Sequence, residues 1–296
     1  MKKYAVIGLA VVASAGMAFA QDDVVVVEQQ NAVATDTAMQ QPDAANVAEY
    51  NEGDAEVSAQ VSLFSAYVWR GQVYNNDLVL QPQMTIAKYG ISFNLWANWD
   101  IGENMYGNSS DFSEIDMTLA YALPLPTNAV ALSVGATSYN FPNNCDDDIV
   151  TRKGNGGPGD STMELFAKLS LLPLQQFIVP SVTVFGDIKE ADGVYVLLDA
   201  YVPLQLSEYL GFQFGASAGW GSTSYNDYYF GKGQDQGWND YNFYVNAAYD
   251  ITDNWSLTAN LTYTFLAGGS VDDAGGDIYE ENAKLWGGAG IAYNFF

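Results

Sequence analysis

The chain has 296 residues, with 35 acidic and 10 basic side chains, no histidine and one cysteine, for a formal net charge of −25. Nucleic acid is excluded as a partner, because it needs clustered Lys and Arg to displace counterions. The lack of histidine excludes Ser-His and Asp-His catalysis and histidine-rich metal sites.

Residues 1–20, MKKYAVIGLAVVASAGMAFA, carry Lys2 and Lys3, an apolar run from Tyr4 to Ala13, and a small-x-small ending at Ala18, Phe19 and Ala20. This is the pattern of a secretory signal peptide, with cleavage expected before Gln21. No cysteine follows that point, so no lipid anchor is expected there. Residues 21–56 are low-complexity, rich in Gln, Ala, Asp, Glu and Val, and free of Lys and Arg. They read as a disordered acidic periplasmic leader, with Val24–Val27 its apolar exception.

From Val57 the chain alternates. Trp255, Leu257, Ala259, Leu261, Tyr263 and Phe265 share one face, and Ser256, Thr258, Asn260, Thr262 and Thr264 the other. Period two with one apolar face means a strand. Residues 210–220 and 241–251 repeat the pattern, and 57–69, 78–87, 91–101, 113–123, 129–141, 162–172, 178–189, 193–203 and 284–296 follow it less cleanly. Hydrophobic residues make up 49% of the chain, yet its mean hydropathy is −0.04. No stretch after the signal reaches the roughly 18 to 20 apolar residues of a membrane helix. These features predict an all-β, transmembrane, antiparallel up-and-down β-barrel of about 12 strands over residues 57–296.

Connection lengths agree. Short links at 88–90, 124–128, 173–176 and 251–254 interleave with long polar segments, so the short turns are expected on the periplasmic side and the long loops outside. IKEAD, near 188–192, is short where a long loop is due, and 203–210 is long for a turn. Pro82 and Pro180 fall inside proposed strands, where bulges are expected, because a closed barrel has no edge to tolerate a missing donor. Trp69, Trp99 and Trp220 close ascending strands at the outer rim, and Tyr121, Tyr249, Trp255 and Tyr293 share the lipid-facing phase, together forming an expected aromatic girdle.

The segment SLFSAYVWRGQVYNNDLVLQPQMTIAKYGISFNLWANWD carries Ser65, Tyr67, Arg70, Gly71, Gln81, Gly90, Trp96, Ala97 and Asn98 at spacings that resemble the opening of the TorF-like porin family. QVY stands where that family has I-S-Q after the Arg-Gly. The resemblance covers about forty residues sharply and implies an outer-membrane pore, without naming its solute.

The opposite phase of the strands points Arg70, Asp100, Glu114, Asp116, Glu164, Lys168, Asp187 and Asp199 inward, six acids against two bases. Carboxylates lining a pore favour cations. Phe64, Trp96, Tyr139, Phe166, Phe185, Tyr195, Tyr201 and Tyr244 are inward aromatics able to bind a ring-shaped solute or simply to pack. The sequence therefore reads as an outer-membrane porin of a Gram-negative-type bacterium for small hydrophilic solutes, cation-preferring. The alternative is a non-conducting structural or adhesive barrel, with the inward charges paired and filling a narrow lumen. Neither reading needs enzyme chemistry, a cofactor or a metal. The acidic clusters at 145–148 and 272–277 lack calcium-loop spacing and read as solvated loops, and Cys145 reads as a free loop thiol. The expected partners are outer-membrane lipid, small solutes or cations, and barrel-assembly machinery. The last of these would read the terminal strand through Tyr293, Phe295 and the out-of-phase Phe296.

Overall fold

The computed structural model describes residues 55–104, 109–142, 161–172, 174–268, 270–279 and 281–295. The signal peptide, all of the leader before Ala55, Cys145, Asp146–Asp148 and Phe296 lie outside them. Twelve strands close into one antiparallel barrel: β1 (Glu56–Phe64), β4 (Val79–Lys88), β5 (Ile91–Asp100), β6 (Asp111–Ala122), β7 (Val130–Asn140), β8 (Thr162–Leu171), β9 (Val179–Asp187), β10 (Val194–Gln205), β11 (Leu210–Gly221), β12 (Gly237–Asp250), β13 (Trp255–Leu266) and β14 (Ala283–Asn294). Every strand pairs with its neighbours in sequence, and β1 pairs with β14 to close the ring, with Ser58 opposite Asn294 and Phe64 opposite Gly288. Phe295 extends the seam by donating its backbone N–H to Val57 O at 2.8 Å. Closure satisfies every edge, which a sheet in hydrocarbon requires.

Alternation decides which way each strand faces. Along β13 the apolar residues from Trp255 to Tyr263 are exposed, and Ser256, Thr258, Asn260, Thr262 and Thr264 are buried inside. The hydrophobic effect is thus reversed relative to a soluble barrel, since the outer face meets lipid. The turn between β4 and β5 uses Tyr89 and Gly90, both at positive φ. Positive φ at both central residues matches a two-residue hairpin turn to the twist of its strands.

Two expectations about the strands are corrected. Neither Pro82 nor Pro180 makes a bulge. Pro82 sits opposite Val61 in an unbroken β1–β4 ladder, and the β4–β5 ladder resumes beyond it in the same register. Pro180 lies past the last β8–β9 pair, at Ser170 and Ser181, and sits opposite Ala200 in an unbroken β9–β10 ladder. The register shifts instead at Asn98/Trp99 and Ala218/Trp220, near the outer ends of β5 and β11.

The first strand is also shorter than 57–69. It ends at Phe64, and the chain then leaves the wall to form a small hairpin of β2 (Tyr67–Trp69) and β3 (Gln72–Asn75), paired only with each other. Both strands are wholly buried. Two further outer connections, read above as loops, carry helices: α1 (Thr223–Phe230) between β11 and β12, and α2 (Ser270–Tyr279) between β13 and β14. Ser222 caps α1 by accepting from the Tyr225 N–H.

Candidate functional site: a hairpin plug in the outer lumen

The turn of the inner hairpin is Arg70-Gly71, with φ of 47° and 83°. A Cβ on Gly71 would lie 2.3 Å from Leu266 Cδ2 and 2.8 Å from Asp240 Cβ, so the tip is pressed against the β12–β13 wall and glycine is required twice over. From this tip Arg70 reaches across the barrel. Its Nη1 and Nη2 donate to Glu164 Oε1 and Oε2 at 2.8 Å each, and both side chains are 1% exposed. The guanidinium carbon also lies 4.2 Å from the Tyr195 ring centroid, 4.4 Å from Phe185 and 4.5 Å from Trp69. Such a pair, planar, bidentate and caged by rings, suits Arg and would not suit Lys.

The rest of the hairpin is fastened on both sides. Tyr67 donates to Glu114 Oε2 at 2.6 Å, and Asn75 Nδ2 donates to Asp100 Oδ1 at 2.8 Å. Asn98 and Asn104 also donate to Asp100. Toward the helices, Gln72 Oε1 accepts from Tyr279 of α2 at 2.7 Å, and Trp69 meets Tyr229 of α1 edge-on at 5.1 Å. The helices and hairpin thus share one apolar cluster, in which Tyr225, Tyr229, Phe230, Val271 and Tyr279 cover the hairpin.

The inward set divides accordingly. Arg70, Asp100, Glu114, Asp116 and Glu164 gather around the hairpin, all buried. Asp187 points inward but closes a loop: Oδ1 accepts from the backbone N–H groups of Lys189, Glu190 and Ala191, and Oδ2 from Thr162. That is why the β9–β10 connection can be short. Asp199 accepts from Tyr244 at 2.8 Å. Lys168 lies half-buried in the inner half of the barrel, opposite Ser133 and Thr183. Of the expected girdle, Trp69 is corrected. It is 5% exposed and belongs to the plug, because the chain has left the wall before reaching it. Trp99 packs edge-on against Phe112, and Trp220 lies opposite Trp238. Tyr121, Tyr249 and Trp255 are exposed on the outer face, with the Tyr293 ring tilted against Trp255 at a centroid distance of 4.6 Å.

Several functional residues escaped the sequence. Asp240, which accepts from Tyr195 at 2.9 Å, is in phase with Asn242 and Tyr244, and carrying the β12 alternation one residue before 241 would have found it. Tyr225 and Tyr229 are spaced four apart, a helical signal hidden by the polar residues around them.

A closed 12-strand barrel with an apolar outside and a polar inside is an outer-membrane architecture. A family model described as MltA-interacting protein MipA matches residues 44–295. The TorF-like assignment suggested by the 62–100 segment is not confirmed. Among solved structures, an outer membrane channel from Pseudomonas putida F1 is similar at 13% identity and a TM-score of 0.49, over 83% of this chain and 97% of that one. A KdgM porin in complex with disordered oligogalacturonate gives 8%, 0.47, 81% and 99%. LpxR from Salmonella typhimurium gives 10%, 0.46, 81% and 100%. No curated protein matches the sequence.

Proposed function

This chain belongs to the MipA family, and on that premise we propose that it is a closed outer-membrane barrel that works by holding a partner rather than by passing solutes. The observation that carries this reading is the buried Arg70–Glu164 pair, which locks the hairpin across the outer lumen. Either charge buried there without the other would cost about 3–5 kcal/mol, so the two enter the lumen only as a pair and fix the position of the hairpin. The family's description names an interaction with MltA, and a partner of that kind suits a barrel whose lumen is occupied. Export by the 1–20 signal and insertion by barrel-assembly machinery complete the reading, and nothing in it requires catalysis.

A second reading, a cation-preferring porin, is favoured by the inward excess of acids and requires the hairpin to leave the lumen. Single-channel recording of the mature chain in planar bilayers separates the two. The closed reading expects a silent barrel that still co-purifies MltA. A steady cation current from the unaltered chain would overturn it in favour of the porin.

A further inference from the structure

The inner hairpin is the far end of the β1–β4 hairpin, bent into the lumen. β1 and β4 pair as far as Phe64 opposite Val79, and beyond two short links, 65–66 and 76–78, β2 and β3 resume with Tyr67 opposite Asn75. Unbroken continuation of the β1–β4 ladder would set Tyr67 opposite Asn76, a difference of one residue. The alternation of β1 also runs on through Leu63, Ser65, Tyr67 and Trp69. Straightened at its links, the hairpin would stand up as a longer β1 and β4.

The wall keeps a place for it. β14 starts at Ala283, yet its ladder with β1 stops at Gly288, opposite Phe64. One more bond follows, from the Ser65 N–H to Gly287 O at 2.9 Å. Alternate residues of a strand turn their backbone groups to the same side, so Leu285 and Ala283 turn theirs as Gly287 does, toward β1 and away from β13. Among the described residues nothing bonds to them there. This edge stands above the level at which the ring closes, at the outer rim, and its Leu285 is 62% exposed. An unpaired edge is a template for another strand. The register of the seam, carried on, sets Tyr67 opposite Leu285 and Trp69 opposite Ala283.

The seat inside the lumen leaves part of the hairpin unmet. Trp69 Nε1, Arg70 Nε and Gln72 Nε2 are buried donors with no hydrogen-bond partner among the described residues. Such donors carry the cost of their lost hydration, which water at the outer rim would restore. The second link is tied to β14 only by exposed groups, with Asn76 accepting from Lys284 and donating to Glu281.

We infer that the hairpin has a second seat, in which it swings out on the links 65–66 and 76–78 and residues 65–69 lie along the β14 edge at 283–287, extending β1 and clearing the outer lumen. The bonds from Arg70 to Glu164, Tyr67 to Glu114 and Asn75 to Asp100 hold it in the first seat. Weakening them moves it to the second. This concerns the hairpin alone and stands whether or not the barrel holds a partner.

The test is disulfide trapping in the mature chain refolded in lipid vesicles, with Cys145→Ser throughout. In the second seat Val68 and Lys284 are opposite one another and both inward, in a pair without mutual backbone bonds, where side chains come closest and a disulfide fits. Val68→Cys with Lys284→Cys, exposed to copper phenanthroline, should link slowly while the plug is intact. Adding Arg70→Ala and Tyr229→Ala should speed linkage about tenfold or more, since loss of one hydrogen bond to a charged group already shifts a population that far. Mass spectrometry of the digested chain counts the linked peptides. Tyr67→Cys with Leu285→Cys, the neighbouring outward pair, repeats the measurement should the first pair fail to fold. A folded chain without Arg70 and Tyr229 that links through neither pair overturns the second seat. Linkage equally fast with the plug intact, or equally fast from Val68→Cys to Thr264→Cys one strand away on β13, overturns it too, because neither needs the β14 edge.

Discussion

Arg70 and Glu164 stand 94 residues apart in the chain and meet through two parallel hydrogen bonds of 2.8 Å in a ring-lined space. The pair ties the turn of an internal hairpin to the far wall of the barrel. Tyr139 donates a third bond to Glu164 at 2.8 Å, so the carboxylate is satisfied on both oxygens.

That geometry makes the pair strongly coupled. Arg70→Ala and Glu164→Ala should each destabilise the folded barrel by about 3–5 kcal/mol, because each strands a buried partner charge, while the double variant should cost clearly less than the sum. Urea titration of the refolded chain, read as a double-mutant cycle, measures this. Additive losses would mean that the two side chains do not form a unit.

Gly71→Ala should loosen the hairpin without opening the barrel. The residue needs positive φ, and the new methyl would collide with Leu266 and Asp240. The cost expected is about 1–3 kcal/mol of local strain. Hydrogen exchange should rise across 66–76 and stay slow in β12 and β13, and uniform acceleration would contradict a local plug.

How much of this was legible beforehand depended on what periodicity can see. The twelve wall strands were, because period two is written directly in runs such as 255–265 and 241–251. The plug was not. Leu63, Ser65, Tyr67 and Trp69 continue the phase of the first strand through its end, and alternation cannot distinguish a strand that stays in the wall from one that turns into the lumen. What decides it is the packing of Trp69 on Tyr229 and of Tyr67 on Trp96, contacts far apart in sequence. The acids' partners, Tyr67, Asn75 and Arg70, come from the hairpin, so a lined pore was expected where a packed lumen stands.

Asp187 should prove structural. Three backbone N–H groups, at 2.9, 2.9 and 3.1 Å, converge on one of its oxygens and hold the short β9–β10 connection. Asp187→Ala should leave those donors unmet at about 1–3 kcal/mol and expose 188–193 to protease added outside intact cells. Asp187→Asn keeps an acceptor oxygen and should rescue most of the effect. An equally protected loop in the Ala variant would refute the capping role.

At the seam, Phe295 is exposed on the lipid side while its backbone pairs with Val57. Phe295→Ser should therefore slow assembly into the membrane more than deletion of Phe296, which follows it out of phase. Heat-modifiable gel mobility in a time course of insertion compares the two. The opposite order would shift the register assigned to the terminal strand.

The last prediction concerns what an opened lumen would carry. Arg70→Ala removes the cation that neutralises Glu164 and frees the tip of the hairpin, so this variant should show channel events that the unaltered chain lacks. Once the plug moves, Asp100, Glu114, Asp116 and Glu164 would line the constriction with no inward base at that level among the described residues. Carboxylates in a narrow, low-dielectric passage concentrate cations, so the reversal potential in a salt gradient should mark a cation current. The preference should fade as salt rises, because the Debye length falls from about 30 Å at 0.01 M to about 3 Å at 1 M. Adding Asp100→Asn, Glu114→Gln and Asp116→Asn to the Arg70→Ala chain should move the reversal potential toward zero. An Arg70→Ala barrel that folds and stays silent would show that the aromatic cluster under α1 and α2 holds the plug without its ion pair, and an anion current would refute the acidic lining outright.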